Sequence, residues 1–175
     1  DPMRPGIVHR LDKDTSGVMI AARNQKAFEE LKNLFKNRKI EKKYLALVYG
    51  KLKNKQGVIN KPIARSSNYK KQVIVGRKTK TKIRPAITEY KVIEEFSEYS
   101  LLEIKPRTGR MHQIRVHMAS IGCPIVGDKV YKLKNIKIES LIKKPACDAM
   151  RSIMGRQLLH AKSLKFKLFG KNYSF

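Results

Sequence analysis

The feature that most limits how this chain can fold is a period-two alternation of apolar and polar residues, found in segments far apart in the sequence. Residues 86–93 and 162–169 both alternate in this way, which predicts strands with one buried face. Residues 100–105 predict a partner strand for the first of these, and residues 44–49 predict another that ends at Gly50. The predicted inward positions are Thr88, Tyr90, Val92, Leu164, Phe166 and Leu168.

Helical patterns are few. Residues 25–36 place apolar side chains on one face at helical spacing, with Asn24 as the N-cap. Residues 111–121 predict a second helix, and residues 18–22 predict a short buried strand. The stretch 51–85 is broken by glycine and proline, which predicts short hairpins. Because short loops join most of the strands, we predict an α+β fold: a mainly antiparallel mixed sheet with flanking helices and loops.

The 175 residues are enough for one domain with its own core. No apolar run approaches the roughly 20 residues of a membrane helix, so we expect no membrane partner. The two cysteines, Cys123 and Cys147, lie in no CxxC pair, and with four histidines they lack the spacing of a zinc site. We therefore expect reduced thiols, a cytoplasmic location and no metal site.

Charge gives the first indication of function. The chain has 40 Lys and Arg against 14 Asp and Glu, a net charge of +26. Residues 51–85 hold twelve basic residues and no acid, and residues 132–175 hold eleven against two, whereas residues 86–131 hold six of each. Such acid-free stretches are typical of a surface that binds a polyanion. No long basic amphipathic helix favours an anionic membrane instead, so we expect a nucleic acid.

Two acids nevertheless stand close together in HRLDKDTSG, residues 9–17. Asp12 and Asp14 have the spacing that opens a calcium loop, but the twelfth position, which would need a bidentate acid, is Arg23. A glycosidase-like carboxylate pair is possible in principle, but the two acids are only two residues apart and nothing in the sequence indicates a glycoside substrate. From these residues alone, the simplest interpretation is that both acids serve a turn or a cap.

Two further segments carry candidate chemistry. KKYLALVYG, residues 42–50, places Tyr44 in a predicted strand, where a tyrosine is more often a core residue than a catalyst. KPRTGRMHQIRVHMASIG, residues 105–122, groups Arg110 and Arg115 with two histidines on or beside the second predicted helix. That segment would also suit a basic helix that lies on a phosphate backbone.

Taken in order, the three segments resemble the motifs of the RluA-type pseudouridine synthases. GIVHRLDKDTSGVMIAA is similar to the aspartate motif of that family, KKYLALVYG to its tyrosine motif, and RTGRMHQIRVHMASIGCPIVGDKVY to its arginine motif. GRQLLHAKSLKF, residues 155–166, resembles its late strand. The resemblance spans residues 5–168. It implies an enzyme that isomerises uridine in RNA to pseudouridine and that needs no cofactor and no metal.

The resemblance also implies roles for single residues. Asp12 becomes the essential carboxylate beside the ribose, and Asp14 remains a turn residue. Arg115 pairs with Asp12 and opposes the loss of its charge. Tyr44 stacks on the target base and helps to remove its C5 proton, and Arg10 fills the gap left by the flipped uridine. The residues expected to bind RNA are Arg10, Arg110, Lys78, Lys80 and Lys82.

The chain departs from the family pattern at its start. It lacks the strand that usually precedes RPGIVHRLD and any S4-like RNA-binding domain, so we expect residues 1–175 to be a catalytic-domain fragment. GVINKPIAR, RPAITEYKVIEEF and GDKVY are most similar to the RluD-like class, which acts on large-subunit ribosomal RNA. The expected partner is therefore RNA, ribosomal in origin, bound by a monomer.

Two other classes of protein remain as alternatives. A non-catalytic RNA-binding domain would fit the charge but gives no reason for Asp12, Tyr44 and Arg115 to occur together. Another RNA enzyme would need features that are missing: a Gly-rich cofactor loop for a methyltransferase, or several carboxylates for a metal-dependent nuclease.

Overall fold

The computed structural model describes residues 5–66, 71–77, 79–132 and 155–175. The strands are β1 (Ser16–Gly17), β2 (Glu41–Tyr49), β3 (Gln56–Asn60), β4 (Ile63–Arg65), β5 (Gln72–Ile74), β6 (Ile87–Glu95), β7 (Tyr99–Pro106), β8 (Leu159–Leu168) and β9 (Lys171–Ser174). The helices are α1 (Gln25–Lys36) and α2 (Gln113–Ser120).

The described part of the chain builds one sheet of seven strands in the order β1-β8-β2-β7-β6-β3, with β9 also paired to β8. The pairs within it are antiparallel, except that β1 runs parallel to β8. Strands β4 and β5 form a separate antiparallel pair. The predicted α+β fold with a mainly antiparallel mixed sheet is therefore confirmed.

The alternating segments form strands with the predicted faces. On β6, Thr88 is buried and Tyr90 and Val92 are half-buried, whereas Lys91 is exposed. On β8, Leu164 and Phe166 are buried between exposed lysines. The partner strand predicted at 100–105 is β7, which pairs with β6 as expected.

The main core lies between the centre of the sheet and helix α2. Val48 of β2 and Leu102 and Ile104 of β7 pack there with Ile114 and Met118 of α2. Fully burying an aliphatic side chain of this size contributes roughly 1.5–3 kcal/mol, so this packing fixes α2 firmly on the sheet. The helix follows directly after the loop 107–112, which α2 therefore holds in place beside the strands.

Helix α1 closes a second core against β8. Its Leu31 is buried with Leu164 and Phe166 of that strand. The predicted N-cap is confirmed, because the Asn24 side chain accepts a hydrogen bond of 2.9 Å from the N–H of Ala27. Val8 from the segment before β1 packs against the same cluster, so α1 supports the segment that carries Asp12.

Two local predictions are wrong. Residues 18–22 form no buried strand: only Val18, Ile20 and Ala22 pack on the α1 core, and Met19 is half exposed. The pairing with β8 stops at Gly17, so the segment lies over the core at the edge of the sheet with one side in solvent. The second helix begins at Gln113 rather than at 111, because His112 has a left-handed backbone with φ 53°.

The basic stretch forms short strands, as predicted, and a hairpin pairs β4 with β5. Strand β3 instead joins the main sheet by pairing with β6. Cys123 is a free, buried thiol, and Cys147 lies outside the described residues. Neither α1 nor α2 is long and apolar enough to cross a membrane.

Candidate active site

A cleft of about 710 Å³ brings three distant segments together. It is lined by Asp12 and its neighbours, by Tyr44 of β2, and by the loop that leads from β7 into α2. Four of the residues singled out from the sequence line it: Arg10, Asp12, Tyr44 and Arg110. The structure therefore places the aspartate and tyrosine motifs, which are 32 positions apart at these residues, on one cavity.

Asp12 lies in a tight turn that is tied to the late strand. The N–H of Thr15 donates to the carbonyl of Asp12 at 3.0 Å, and Asp14 inside the turn has φ 68°, a conformation that Asp tolerates better than most residues. The side-chain amide of Gln157 donates to the carbonyl of Lys13 at 2.7 Å. Asp14 is therefore a turn residue, and Asp12 belongs to a segment that these hydrogen bonds hold in place.

Gly17 sets how closely this turn approaches β8. A Cβ at Gly17 would lie 2.2 Å from the carbonyl oxygen of Ala161, and the residue has φ 118°. Only glycine combines this backbone conformation with so close an approach. The parallel pairing of β1 with β8 depends on it, and that pairing places the turn at the sheet.

Tyr44 stands at the cleft on β2, next to a bulge between Lys43 and Tyr44. Burial raises the pKa of its phenol to about 12, and the negative charge of Asp12 acts in the same direction. The hydroxyl therefore keeps its proton at neutral pH. Its ring also packs against the main core, so the interpretation of Tyr44 as a core residue was correct in part.

Arg115 lies behind the cleft, and its strongest partner is one that the sequence prediction missed. Its Nε and Nη2 donate to the two carboxylate oxygens of Asp128 at 2.7 and 2.9 Å, both side chains being buried. The predicted contact with Asp12 exists, but Nη1 is 3.8 Å from the Asp12 oxygen, an ion pair without a hydrogen bond. Arg115 thus bridges the two acids.

The charges of this bridge are held in place by their surroundings. Burial lowers the pKa of Arg115, but its hydrogen bonds and the charges of Asp128 and Asp12 outweigh this and raise it. Burial raises the pKa of Asp128, but Arg115 and the N–H groups of Tyr131 and Val130 lower it on balance. Both residues therefore stay charged at neutral pH. The signal for Asp128 in the sequence was an isolated acid within GDKVY.

Tyr131 extends the bridge to the small hairpin. The Arg115 guanidinium lies 5.3 Å from the centre of its ring, and its hydroxyl accepts from the N–H of Gln72 on β5 at 2.8 Å. The Nδ1 of His112 is 3.0 Å from the same hydroxyl. His112 precedes helix α2 and Arg115 lies on it, but both contact Tyr131.

A buried amide organises the loop that carries Arg110. The Oε1 of Gln113 accepts from the Thr108 hydroxyl at 2.6 Å and from the N–H of Arg110 at 3.1 Å. The Thr108 hydroxyl also accepts from the N–H of Ile87 at 3.0 Å. Thr108 and Gln113 are both buried, so this network fixes the wall of the cleft without occupying it.

Lys80 and Lys82, two of the predicted RNA-binding lysines, are not part of the described cleft lining. Lys80 and Lys82 are exposed on either side of Thr81, whose hydroxyl donates to the carbonyl of Arg65 at 2.6 Å. Arg65 itself lines the cleft. Lys78 lies outside the described residues.

Comparisons with known proteins agree with this architecture. The sequence model of the family described as RNA pseudouridylate synthase matches residues 1–120. An uncharacterized RNA pseudouridine synthase of Aquifex aeolicus is 47% identical over 137 residues, which cover 77% of this chain and 42% of that protein. The ribosomal large subunit pseudouridine synthase D of Borreliella burgdorferi is 46% identical over 131 residues, covering 75% of this chain and 39% of that protein.

A solved structure shows the same fold. The human RNA pseudouridylate synthase domain containing 1 superposes with a TM-score of 0.80 at 28% identity, over 96% of this chain and 66% of that one. The fold is therefore that of the RNA pseudouridylate synthase domains. The chain belongs to the RNA pseudouridylate synthase family, as the resemblance to RluA-type enzymes implied. It spans about two fifths to one half of the length of the curated relatives it matches.

Proposed function

We propose that this chain carries the isomerisation of uridine to pseudouridine in RNA, with large-subunit ribosomal RNA as substrate. The observation that carries the proposal is the meeting of Asp12 and Tyr44 in one cleft, the only carboxylate and the only phenol in its described lining. The reaction breaks the bond from C1′ to N1, turns the base and joins C1′ to C5; C5 loses its proton and N1 gains one. A carboxylate beside the ribose and a group near C5 are the two requirements.

Asp12 is the proposed nucleophile or base at the ribose, because an anion can add to C1′ or remove a proton beside it. Arg115 is 3.8 Å away and keeps a positive charge near that anion. Since Asp128 holds the guanidinium by two hydrogen bonds, we assign Arg115 the task of positioning Asp12. Asp128 in turn orients Arg115.

Tyr44 is proposed to stack on the target base and to take part in the loss of the C5 proton. Because its hydroxyl is protonated at neutral pH, Tyr44 can donate a hydrogen bond or a proton. It can act as the base at C5 only if another group first removes the phenol proton. Arg10 is exposed at the cleft mouth. We propose that its side chain fills the gap that the flipped uridine leaves in the RNA stack. Flipping a base costs a few kcal/mol of free energy, and filling the gap lowers that cost.

Ribosomal RNA is proposed from two observations. The relatives from Borreliella burgdorferi and Blochmanniella floridana, which is 43% identical over 162 residues, are both named ribosomal large subunit pseudouridine synthase D. The acid-free stretch 51–85 supplies positive charge next to the cleft wall at Arg65. We further propose that the domain acts as a cytoplasmic monomer and needs no cofactor.

The test is tritium release from RNA that contains 5-tritiated uridine. We expect Asp12→Asn to abolish release while RNA affinity stays within a few-fold, because one charge is removed and the shape is kept. Asp14→Asn is the matched control: it makes the same chemical change two residues away, and Asn tolerates the left-handed backbone there. Release by Asp14→Asn should equal that of the wild-type protein.

The same assay separates the alternatives. Substantial release by Asp12→Asn would remove that residue from the chemistry. A wild-type protein that binds RNA but releases no tritium from ribosomal RNA would favour the non-catalytic RNA-binding domain. A nuclease would shorten the RNA without releasing tritium from C5.

A further inference from the structure

The inner wall of the cleft carries an ammonium group that the proposed chemistry does not use. Lys42 on β2 lies two residues before Tyr44 and lines the same cleft. It is half-buried, and no carboxylate or hydrogen-bond acceptor contacts it among the residues that the structure describes. Lys43, the next residue, forms an ion pair with Glu103 at 3.5 Å instead.

The surroundings of Lys42 are cationic rather than acidic. The described lining of the cleft contains six Lys or Arg and a single carboxylate, that of Asp12. The six are Arg10, Lys36, Arg38, Lys42, Arg65 and Arg110. A wall with so many positive charges and one acid is complementary to an anion, and the acid is already bridged by Arg115.

The ammonium of Lys42 lies against a glycine. Its Nζ is 3.3 Å from where a Cβ of Gly109 would be, so a side chain at Gly109 would crowd the ammonium. Arg110 follows Gly109; its backbone N–H is held by Gln113, and its Nε donates to the carbonyl of Pro85 at 3.4 Å. Because Lys42, Arg38 and Arg110 all line the cleft, an oxyanion bound there would be attracted by all three positive charges.

Burial and neighbouring positive charges disfavour the charged forms of these side chains. Burial lowers the pKa of Lys42, and the charge of Arg38 lowers it further. Burial also lowers the pKa of Arg110, with the charges of Arg38 and Arg84 in the same direction. His9, at the same wall, has a pKa of about 4 because of burial and the charge of Lys42. An anion would relieve this repulsion.

We propose that Lys42, Arg38 and Arg110 form a phosphate subsite inside the cleft, which holds a backbone phosphate of the RNA beside the nucleotide that reaches Asp12. The inference rests on the proposed function for its substrate, but the anion site itself does not. Lys42 is the inner member, and Arg38, which is exposed, is an outer one. The subsite fixes the strand while the base is turned.

The first experiment uses inorganic phosphate as the probe and needs no activity. Thermal unfolding is followed in chloride and in phosphate at equal ionic strength for three proteins: the wild type, Lys42→Met and Lys43→Met. The two variants each remove one positive charge from neighbouring residues, so Lys43→Met is the control. A ligand of the folded state raises the unfolding temperature. We expect phosphate to raise it for the wild type and Lys43→Met, and Lys42→Met to lose most of that rise. Equal rises in both variants would overturn the subsite.

A second measurement covers the case in which Lys42→Met does not fold. The ammonium of Lys42 is titrated by NMR in the wild-type protein with and without inorganic phosphate. Phosphate bound at the subsite must raise the pKa of Lys42 from its lowered value, because an anion favours the charged form. A pKa that does not respond to phosphate contradicts the proposal.

The RNA arm links the subsite to the substrate. Binding of a ribosomal RNA fragment is measured against salt, and removing one protein–phosphate interaction with a single strand lowers the slope of log K by about 0.7. We expect this decrease for Lys42→Met and none for Lys43→Met. Equal slopes in the two variants would reject RNA phosphate as the ligand. If phosphate binds Lys42 but no RNA releases tritium, the proposed function fails and the anion site stands.

Discussion

At the scale of single residues, the pair of Arg115 and Asp128 decides whether the candidate catalytic aspartate has a positive neighbour. Both side chains are almost fully buried and share two hydrogen bonds. A buried pair contributes little net stability compared with apolar residues, but breaking it leaves a buried charge without a partner. The arrangement therefore makes the fold and the site depend on the same ion pair.

We predict that Asp128→Asn lowers the free energy of unfolding by about 3–5 kcal/mol at neutral pH, the usual cost of a broken buried pair. The pKa of Asp128 is lower in the folded than in the unfolded state, where it is about 4. The ionised carboxylate therefore stabilises the fold fully above about pH 4, and this stabilisation is lost as the pH falls through the pKa of the folded state. The difference between variant and wild type should therefore shrink below about pH 4. Urea unfolding at a series of pH values measures it, and a difference independent of pH would contradict the assignment.

We predict that Tyr44→Phe reduces single-turnover tritium release strongly while RNA affinity changes little, because the ring that stacks on the base remains and only the hydroxyl is removed. Burial and the charge of Asp12 raise the pKa of Tyr44 to about 12. Ionisation of the phenol should therefore not change the wild-type rate between about pH 7 and 10. Wild-type rates in Tyr44→Phe would leave this residue a packing role alone.

At the scale of elements, the site depends on a pairing between segments that are far apart in sequence. Strand β1 has two residues, and it pairs Ser16 with His160 and Gly17 with Ala161. These pairings, with the Gln157 amide, hold the turn that carries Asp12. The late strand thus contributes to the active site without lining much of the cleft.

We predict that Gly17→Ala destabilises the protein more than Gly50→Ala does, and that only Gly17→Ala reduces activity. Both glycines have positive φ, 118° at Gly17 and 79° at Gly50, so both alanines are strained, by roughly 1–2 kcal/mol in the left-handed region near Gly50. The Cβ at Gly17 would also meet the Ala161 carbonyl at 2.2 Å, whereas nothing lies within 4 Å of one at Gly50. Urea unfolding and tritium release measure the two effects, and equal decreases in both variants would show that the close approach is unimportant.

The same elements show what local patterns can and cannot predict. The alternation in β6 and β8, the partner strand β7 and the Asn24 cap depend on neighbours within a few residues, and those predictions are confirmed. Residues 18–22 looked like a buried strand because apolarity alone does not reveal whether one side faces solvent. Asp128 was missed because its importance comes from its contact with Arg115, which only the fold brings near.

At the scale of the whole molecule, charge is distributed unevenly along the chain. The net charge is +26, yet residues 86–131, which hold Arg115 and Asp128, contain equal numbers of acids and bases. The balanced region builds the ion-pair network behind the cleft. In the acid-free stretch 51–85, the Lys and Arg side chains that the structure describes are exposed, except for the half-buried Lys61. Affinity and turnover should therefore be separable by mutation.

We predict that Lys80→Gln with Lys82→Gln lowers RNA affinity and flattens its dependence on salt, by about 0.7 in the slope of log K for each single-strand phosphate that the variant no longer neutralises. Both residues are exposed next to the segment that bonds to Arg65 at the cleft wall. The control is Lys165→Gln with Lys167→Gln, which removes the same charge from exposed positions of β8 outside the cleft lining. If a local surface provides the affinity, only the Lys80 and Lys82 variant changes the slope of log K against salt. Its single-turnover tritium release at saturating RNA should stay near the wild-type rate. Equal slopes for the two double variants would mean that the excess charge attracts RNA only through the field of the whole molecule.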